Sequence, residues 1–243
     1  MQTTIFGPPG TGKTTKLISI VKQELEDGTR PEDIAFVSFS RKAADEARTR
    51  ASSALNMNPD EMVWFRTLHS LAFQFLGISR KQVLRGTDFR QLGDILGLEF
   101  SSNSSLNMAD GQLFSPGKGG DAYLSMIQLA RVREISIEQQ FNDTNDRRLH
   151  YQQLKLVDEV LRDYKRDTNK LDFVDMIDRF IVEEQAPRLE VLIVDEAQDL
   201  APIQWRMVHD VLKPRAKRIY FAGDDDQCIY CLLYTSDAAD DRL

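Results

Sequence analysis

Two short stretches, far apart in the chain, carry the residue types needed to bind and cleave a nucleoside triphosphate. The first runs from Gly7 to Thr14 and fits the pattern G-x-x-x-x-G-K-[ST]. In this pattern glycines let backbone N–H groups surround the phosphates, the lysine reaches the β and γ oxygens, and the hydroxyl binds Mg²⁺. The second, from Val191 to Asp199, is an apolar strand that ends in carboxylates, as a Mg²⁺-holding and water-activating edge requires. We therefore predict that both stretches form one site.

The flanks of the glycine-rich stretch agree with phosphate binding. Residues 3–6 have the pattern of a short buried strand, and Leu17, Val21 and Leu25 follow at helical spacing until Gly28. A helix N-terminus that directly follows a glycine loop adds its unpaired N–H groups to the lysine charge. The predicted nucleotide ligands are Gly7, Pro8, Pro9, Gly10, Thr11, Gly12, Lys13, Thr14 and Thr15.

Composition limits the classes of protein. The chain has 243 residues, of which 42% are hydrophobic and 28% charged, as expected of a soluble chain with one large domain or two small ones. It contains neither a run of about 18 apolar residues nor a basic and then apolar leader, so we predict no membrane association and a cytoplasmic setting. Cys228 and Cys231 form a C-x-x-C, but a second cysteine pair is missing and the histidines are distant in sequence, which disfavours a zinc or redox site.

The formal net charge of -7 argues against a protein that coats nucleic acid by its overall charge. The local distribution differs, because residues 36–90 contain nine Lys or Arg against five acids. This excess is compatible with a surface that follows phosphates, although a solvated helix face would show the same pattern.

Alternating elements predict the fold of the first part. Residues 34–38 and 62–66 have the pattern of strands, and residues 41–55 and 67–76 that of helices, the latter with Thr67 as N-cap. Strands that alternate with helices indicate a mostly parallel sheet covered on both faces. Ligands of such sheets gather beyond the carboxyl ends of the strands.

The middle of the chain differs in pattern. Residues 101–121 are rich in Ser, Asn and Gly and are predicted to form an exposed loop, whereas 122–134 and 147–164 are predicted helices. We therefore predict a mainly helical insertion at about residues 79–170.

Two buried strands follow this insertion, at residues 191–194 and 219–222, and each ends in acids. The helix between them is expected to start near Pro202 and to bury Trp205 and Val208.

Further segments accompany the glycine loop in chain order. They are Phe36–Ala44, Thr67–Ser70, Asp195–Asp199 and Gly223–Tyr230, with a weaker match at Leu171–Met176. In this order they resemble the motifs of the UvrD/Rep family of superfamily 1 DNA helicases. The resemblance implies an α/β fold, namely a RecA-like P-loop NTPase domain with a mostly parallel sheet, interrupted by a mainly helical insertion. It places the ATP-binding domain at residues 1–78 plus 171–230 and the insertion at 79–170.

The resemblance also implies catalytic roles. Lys13 neutralises the β and γ phosphates, and Thr14 together with Asp195 holds Mg²⁺. Glu196 is the expected general base for the attacking water, and Gln227 senses the γ-phosphate. The preference for ATP over other nucleotides rests on the resemblance alone.

Single-stranded DNA is the partner that the resemblance implies, with 3′-to-5′ movement along it. Proteins that follow a single strand combine aromatic platforms for the bases with polar or basic groups for the phosphates. The candidates are Phe39, Ser40, Arg41, Lys42, Thr67, His69, Ser70 and Tyr230. Core packing is the alternative for Phe39, His69 and Tyr230, and Arg41 departs from the asparagine common at that position of the family.

The end of the chain is expected to be non-native. Residues 231–243 resemble the conceptual translation of a transposon-type sequencing adapter, so the native sequence is expected to continue beyond Tyr230. In the family a second RecA-like domain supplies arginine fingers, which contribute about 10³ to 10⁵ in rate. We therefore expect this chain alone to bind Mg–ATP and to be inactive in unwinding.

Two other interpretations stay open. The spelling Gly-Pro-Pro-Gly-Thr-Gly-Lys is common in AAA+ ATPases, although the Asp-Glu-Ala-Gln-Asp segment argues against that class. The second alternative is a fragment that binds nucleotide and DNA without turnover. The sequence does not choose among repair, replication, recombination and phage roles, and it does not predict the oligomeric state.

Overall fold

A computed structural model describes residues 1–8, 10–101, 119–144, 149–183 and 186–224 of the chain. Contacts divide this part of the chain into two units. The first, which we call the sheet unit, contains the described residues of 1–71, 186–200 and 205–224. The second, the helical unit, contains those of 72–183 and 201–204.

Five parallel strands form the centre of the sheet unit. They are β1 (Gln2–Phe6), β2 (Ile34–Ser38), β3 (Trp64–Thr67), β4 (Leu189–Asp195) and β5 (Ala216–Gly223), in the spatial order β1-β5-β4-β2-β3. Helix α1 (Lys13–Glu26) follows β1, α2 (Arg41–Leu55) follows β2, and α3 (Leu68–Phe75) follows β3. This architecture confirms the predicted α/β class with a parallel sheet.

The alternation of side chains along the strands decides which of them face α1. Val191 and Ile193 of β4 pack in one core cluster with Leu17 of α1. Because successive side chains of a strand point to opposite faces, Asp195 at the end of β4 lies on the same face as these two. Ser38 of β2 is the register partner of Asp195. On β2 and β4 the apolar side chains of this face are therefore followed by a polar residue at the end of each strand, next to the start of α1.

The register aligns the carboxyl ends of the strands. Phe6 of β1 pairs with Gly223 of β5, and Ser38 pairs with Asp195 on one side and with Thr67 on the other. Since all strands are parallel, the segments that follow them leave the sheet at the same edge. This edge is where parallel sheets bind ligands.

The helix between β4 and β5 begins at the residue that the sequence predicts. Helix α9 (Pro202–Arg206) starts at Pro202 and continues as a π-helical turn at Met207–Leu212. The ring of Trp205 lies 5.5 Å from that of Phe221 in β5, centroid to centroid. Trp205 and Val208 are both buried, which confirms that they belong to the core.

The described elements of the helical unit are helices. They are α4 (Gly86–Leu96), α5 (Gly119–Val132), α6 (Ile137–Thr144), α7 (Tyr151–Thr168) and α8 (Phe173–Glu183). Leu92 of α4, Leu124 and Ile127 of α5, and Leu154 and Leu161 of α7 meet in one apolar cluster. This content agrees with the predicted mainly helical insertion.

Several element bounds differ from those expected. Strand β3 begins at Trp64 rather than at residue 62, because the Met62 N–H donates to the Pro59 carbonyl and closes the preceding turn. Helix α5 begins three residues before the expected start at 122. Most of the loop predicted at 101–121 lies outside the described residues.

The limits of the two contact-based units differ from the domain limits expected from the sequence. Residues 72–78 and 171–183 belong to the helical unit by contact, whereas the sequence assigned them to the ATP-binding domain. Helix α8 accounts for much of this difference, because it is joined to α5 and α7 by ion pairs. The domain limits themselves stay a prediction.

An ion-pair cluster joins these three helices. Arg131 of α5 donates to both oxygens of Asp172, at 3.1 and 2.9 Å, and to Asp175 at 2.7 Å. Lys165 of α7 donates to Asp172 at 2.7 Å and to Asp175 at 2.8 Å. Asp172 and Asp175 also accept each other's backbone N–H at 2.8 Å, which caps α8. Asp178 completes the cluster at 3.0 Å from Arg131.

The cations of this cluster set the ionisation of its acids. Burial acts to raise the pKa of Asp172, but Lys165 and Arg131 outweigh it and hold the pKa well below its ordinary value. Burial and the charge of Asp172 raise the pKa of Asp175. Burial likewise acts against the charge of Arg131, but the three carboxylates raise its pKa above the usual value. We call Arg131, Lys165, Asp172, Asp175 and Asp178 the paired acid cluster.

Candidate active site

The loop between β1 and α1 has the backbone shape that its glycines permit. Gly10 and Gly12 have φ angles of 81° and 85°, a left-handed region that other residues rarely adopt. At Gly7 a Cβ atom would lie 2.7 Å from the Thr11 hydroxyl oxygen, so a side chain there would have to displace this hydroxyl. Pro9 lies outside the described residues. The loop therefore wraps tightly in front of the N-terminus of α1.

Lys13 is the first residue of α1 and is only 8% exposed. Its ammonium donates to the carbonyl oxygens of Gly7 at 2.5 Å and Pro8 at 3.3 Å. The positive charge thus lies inside the concave side of its own loop. Thr15, the last of the predicted nucleotide ligands, is exposed.

The two stretches that define the site meet at Thr14 and Asp195. The Thr14 hydroxyl donates to Asp195 Oδ2 at 3.2 Å, although the two residues are 181 positions apart. Asp195 is 1% exposed, and its Oδ1 accepts the Glu196 N–H at 3.0 Å. Burial and the neighbouring charge of Glu196 raise the pKa of Asp195 to about 6. The bond from Thr14 and the charge of Lys13 offset this rise only in part.

Glu196 leaves the strand in a left-handed backbone conformation, with a φ of 51°. Its Oε2 accepts a hydrogen bond from Gln198 Nε2 at 2.7 Å. The Oε1 of the same Gln198 amide accepts the Asp224 N–H at 3.1 Å. Burial and the charge of Glu196 raise the pKa of Asp199, the last acid of this segment.

The residues around Asp195 suit a hard divalent cation. Mg²⁺ prefers oxygen ligands and is bound through one or two carboxylates together with substrate phosphates and waters. The Thr14 hydroxyl and the Asp195 carboxylate supply such oxygens. The buried Ser38 hydroxyl, on the register partner of Asp195, has no hydrogen-bond partner among the described residues and could bind a cation-bound water. The part of the chain that the structure describes contains no group of three or more His, Cys, Asp or Glu residues able to hold a metal ion.

The first group of predicted DNA ligands lies directly after β2. Phe39 and Ser40 are partly buried, whereas Arg41 and Lys42 are exposed at the start of α2. The Ser40 hydroxyl accepts the Ala43 N–H at 3.2 Å and so caps α2. The Ser40 hydroxyl therefore has a structural role, and any hydrogen bond to DNA would have to form in addition to this one.

The second group lies at the junction of β3 and α3. Thr67 is 6% exposed, and its hydroxyl accepts the Ser70 N–H at 3.2 Å, which is the N-cap expected from the sequence. The Ser70 hydroxyl accepts a bond from Arg66 at 3.3 Å, and His69 is partly buried. Both groups follow neighbouring strands and therefore lie at the same edge of the sheet as Asp195.

Some predicted residues fall beyond the described part. Gln227 and Tyr230, as well as Cys228 and Cys231, lie outside it. Asp224, the last described residue, is 4% exposed.

Sequence reasoning did not select Gln198 or Ser38. Gln198 was visible as the amide inside Asp-Glu-Ala-Gln-Asp, and Ser38 as a hydroxyl at the end of an apolar strand. The structure is needed to show that Gln198 bonds to Glu196 and Asp224 and that Ser38 is the register partner of Asp195.

Among the described residues, no helix is long and apolar enough to cross a membrane.

Comparison with known proteins supports a single family. The family model for the UvrD/REP helicase N-terminal domain matches residues 1–233. The ATP-dependent DNA helicase PcrA of Bacillus subtilis is 28% identical over 236 residues, which cover 91% of this chain and 30% of PcrA. The ATP-dependent DNA helicase Rep of Buchnera aphidicola subsp. Baizongia pistaciae is 24% identical over 93% of this chain and 34% of Rep. The chain thus spans about a third of the length of these curated relatives.

Proposed function

Since the chain belongs to the UvrD/REP helicase N-terminal domain family, we propose that it is the ATP-binding motor domain of an ATP-dependent DNA helicase or translocase. The observation that carries this proposal is the hydrogen bond between Thr14 and Asp195, with Glu196 beside it. It brings together a phosphate-binding loop and a pair of acids, as hydrolysis of a nucleoside triphosphate requires.

Each residue of this site has a chemical task. Phosphate oxygens replace the Gly7 and Pro8 carbonyls as partners of the Lys13 ammonium, whose charge then stabilises the transferred phosphoryl group. Thr14 and Asp195 would hold Mg²⁺, which supplies positive charge to the β and γ oxygens. Occupation by a cation would also relieve the unfavourable ionisation of Asp195.

Glu196 is the proposed general base. The water oxygen attacks the γ-phosphorus and gives a proton to the Glu196 carboxylate, while the bond from the γ-phosphorus to the bridging oxygen breaks. The products are ADP and inorganic phosphate. Gln227 is proposed to sense the γ-phosphate.

We further propose that the DNA partner is single-stranded and that movement is 3′ to 5′. The position of the two groups of candidate DNA ligands at the carboxyl edge of the sheet supports a strand path there. Phe39 and His69 would stack on bases, as would Tyr230, and Arg41 with Lys42 would pair with phosphates. The hydroxyls of Ser40, Thr67 and Ser70 would add hydrogen bonds to the strand.

The test is single-turnover hydrolysis of labelled Mg–ATP, with protein in excess so that slow rates are measurable. We expect single-stranded DNA to accelerate the reaction. Lys13→Ala should abolish nucleotide binding, and Glu196→Gln should bind nucleotide but lose hydrolysis by at least about 10²-fold. Lys16→Ala, which removes an exposed lysine of the same helix, is the matched control. Hydrolysis that persists in Glu196→Gln, or a rate indifferent to DNA, would contradict the proposal, and the latter would favour the AAA+ interpretation.

A further inference from the structure

The side chain of Gln198 connects two parts of the site that are distant in sequence. Its Nε2 donates to the Glu196 carboxylate at 2.7 Å, and its Oε1 accepts the Asp224 N–H at 3.1 Å. Glu196 follows β4 and Asp224 follows β5, so one amide joins the ends of two neighbouring strands.

The chemistry of the two partners fixes the orientation of this amide. A carboxylate only accepts hydrogen bonds and a backbone N–H only donates, so the NH₂ group faces Glu196 and the oxygen faces Asp224. Glutamate at position 198 could satisfy Asp224 but would repel Glu196. An aliphatic side chain could satisfy neither partner.

Gly223 leaves the space that this amide occupies. A Cβ atom at position 223 would lie 2.8 Å from Gln198 Oε1. The Gly223 carbonyl also accepts the Gly7 N–H at 3.3 Å, which joins the same end of β5 to the glycine loop. A Cβ atom at position 223 would therefore displace the Gln198 amide, and its nearest neighbours belong to Gln198 and Ala197 rather than to Glu196.

We propose that Gln198 is a positioning residue for hydrolysis, an inference that rests on the proposed function. The hydrogen bond from Nε2 fixes the orientation of the Glu196 carboxylate, which is the general base. The hydrogen bond to Oε1 couples this orientation to the backbone that follows β5. A movement of the backbone at Asp224 shifts the amide and with it the Glu196 carboxylate. The rate of water activation thus responds to the position of the end of β5.

The expected effect is on turnover rather than on nucleotide affinity. Loss of an outer-shell hydrogen bond, or a misplacement of about 1 Å, lowers activity by about 10- to 100-fold. Among the described residues no hydrogen bond joins Lys13 or Thr14 to Gln198, so the dissociation constant of Mg–ATP should stay within about threefold of the wild-type value.

Three variants of the whole chain separate the two bonds of Gln198. Gln198→Ala removes both, Gln198→Glu keeps only the bond to the Asp224 N–H, and Gly223→Ala pushes the intact amide aside. Gln82→Ala is the matched control, because the Gln82 Oε1 also accepts a backbone N–H, that of Ser79, at 2.9 Å. Each variant is measured for Mg–ATP affinity, single-turnover hydrolysis and hydrogen exchange of the Asp224 amide.

We expect all three variants to lose about 10- to 100-fold in hydrolysis at nearly unchanged affinity, whereas Gln82→Ala behaves as wild type. Exchange of the Asp224 amide should accelerate in Gln198→Ala and stay slow in Gln198→Glu. Wild-type hydrolysis in Gln198→Ala, or an Asp224 amide that is insensitive to it, would overturn the inference. If wild type and Gln82→Ala neither bind Mg–ATP nor hydrolyse it, the proposed function is wrong, and amide exchange alone decides whether Gln198 links the two strand ends.

Discussion

In each unit of the chain a buried acid lies beside a second acid, Asp172 beside Asp175 and Asp195 beside Glu196, but the surroundings of the two buried acids differ. In the helical unit, Asp172 and Asp175 each accept bonds from Arg131 and Lys165. In the sheet unit, the described residues provide no lysine or arginine that forms a salt bridge with Asp195. The pKa is held below its ordinary value at Asp172 and is raised to about 6 at Asp195.

This difference distinguishes Asp172, a buried acid that stabilises the fold, from Asp195, a buried acid suited to bind a cation. The charge of a buried carboxylate with cationic partners is balanced inside the protein. Removing that carboxylate leaves the charges of the cations unbalanced. A carboxylate whose pKa is raised by burial is ionised at a cost, which a bound cation can remove. The same substitution should therefore have opposite effects on stability in the two units.

The largest effect is expected for Asp172→Asn. Removing one partner of a buried ion pair typically lowers the free energy of unfolding by about 3–5 kcal/mol. Chemical denaturation measures the change. Asp178→Asn is the control, because the Asp178 side chain is 41% exposed and its loss should cost less than about 1 kcal/mol. Equal losses of unfolding free energy in Asp172→Asn and Asp178→Asn would show that burial of an ion pair does not determine its contribution to stability.

Asp195→Asn should instead stabilise the protein in the absence of Mg²⁺. The rise of the Asp195 pKa from 3.8 to about 6 corresponds to about 3 kcal/mol at neutral pH, and this is the upper limit of the expected gain. Denaturation at pH 7 in EDTA measures it, with Asp45→Asn as a surface control. A loss of several kcal/mol would show that Asp195 is compensated like Asp172.

The pH dependence should separate the two acids. Because the folded-state pKa of Asp195 is raised, the folded protein takes up a proton before the unfolded chain does. Its contribution to the free energy of unfolding therefore rises by about 1.4 kcal/mol per pH unit as pH falls below about 6, and levels off near 4. The contribution of Asp172, whose pKa is lowered, is present above its unfolded value of 3.8 and is lost as pH falls below it.

The difference in unfolding free energy between wild type and Asp195→Asn, followed from pH 7.5 to 4.5, isolates the first of these contributions. A difference that does not change with pH would contradict the raised pKa.

The smallest effect is expected from Mg²⁺ itself. At ten times its dissociation constant, a ligand of the folded state adds about 1.4 kcal/mol to the free energy of unfolding. A titration with magnesium chloride, followed by thermal unfolding, should show this gain in wild type and in Asp178→Asn but not in Asp195→Asn. An equal gain in all three proteins would place the cation elsewhere.

Local pattern was sufficient to predict much of the sheet unit. The bounds expected for β2 and α2 agree with the structure, because a β-branched and aromatic run and a serine N-cap are both local signals. The shared edge of the parallel strands follows from the alternation of strands and helices. The roles of Lys13, Asp195 and Glu196 stay predictions, although the structure brings Thr14 and Asp195 together.

Long-range contacts account for what the sequence did not predict. Asp172 and Asp175 carry a local capping pattern, but their pairing with Arg131 and Lys165 depends on how three helices pack. Gln198 is similar, since one of its two partners lies in another strand. Such contacts join residues that are distant in the chain, and no local periodicity encodes them.

The strand order also constrains when the site can form during synthesis. Strand β5 lies between β1 and β4, yet it is the last of the five to leave the ribosome. The nascent chain therefore carries β1 without its neighbour until residues 216–223 have been translated. We conclude that the glycine loop gains its hydrogen bond from the Gly7 N–H to the Gly223 carbonyl only at that moment. A nascent chain that pauses earlier therefore presents a glycine loop without this bond, after a strand without its neighbour.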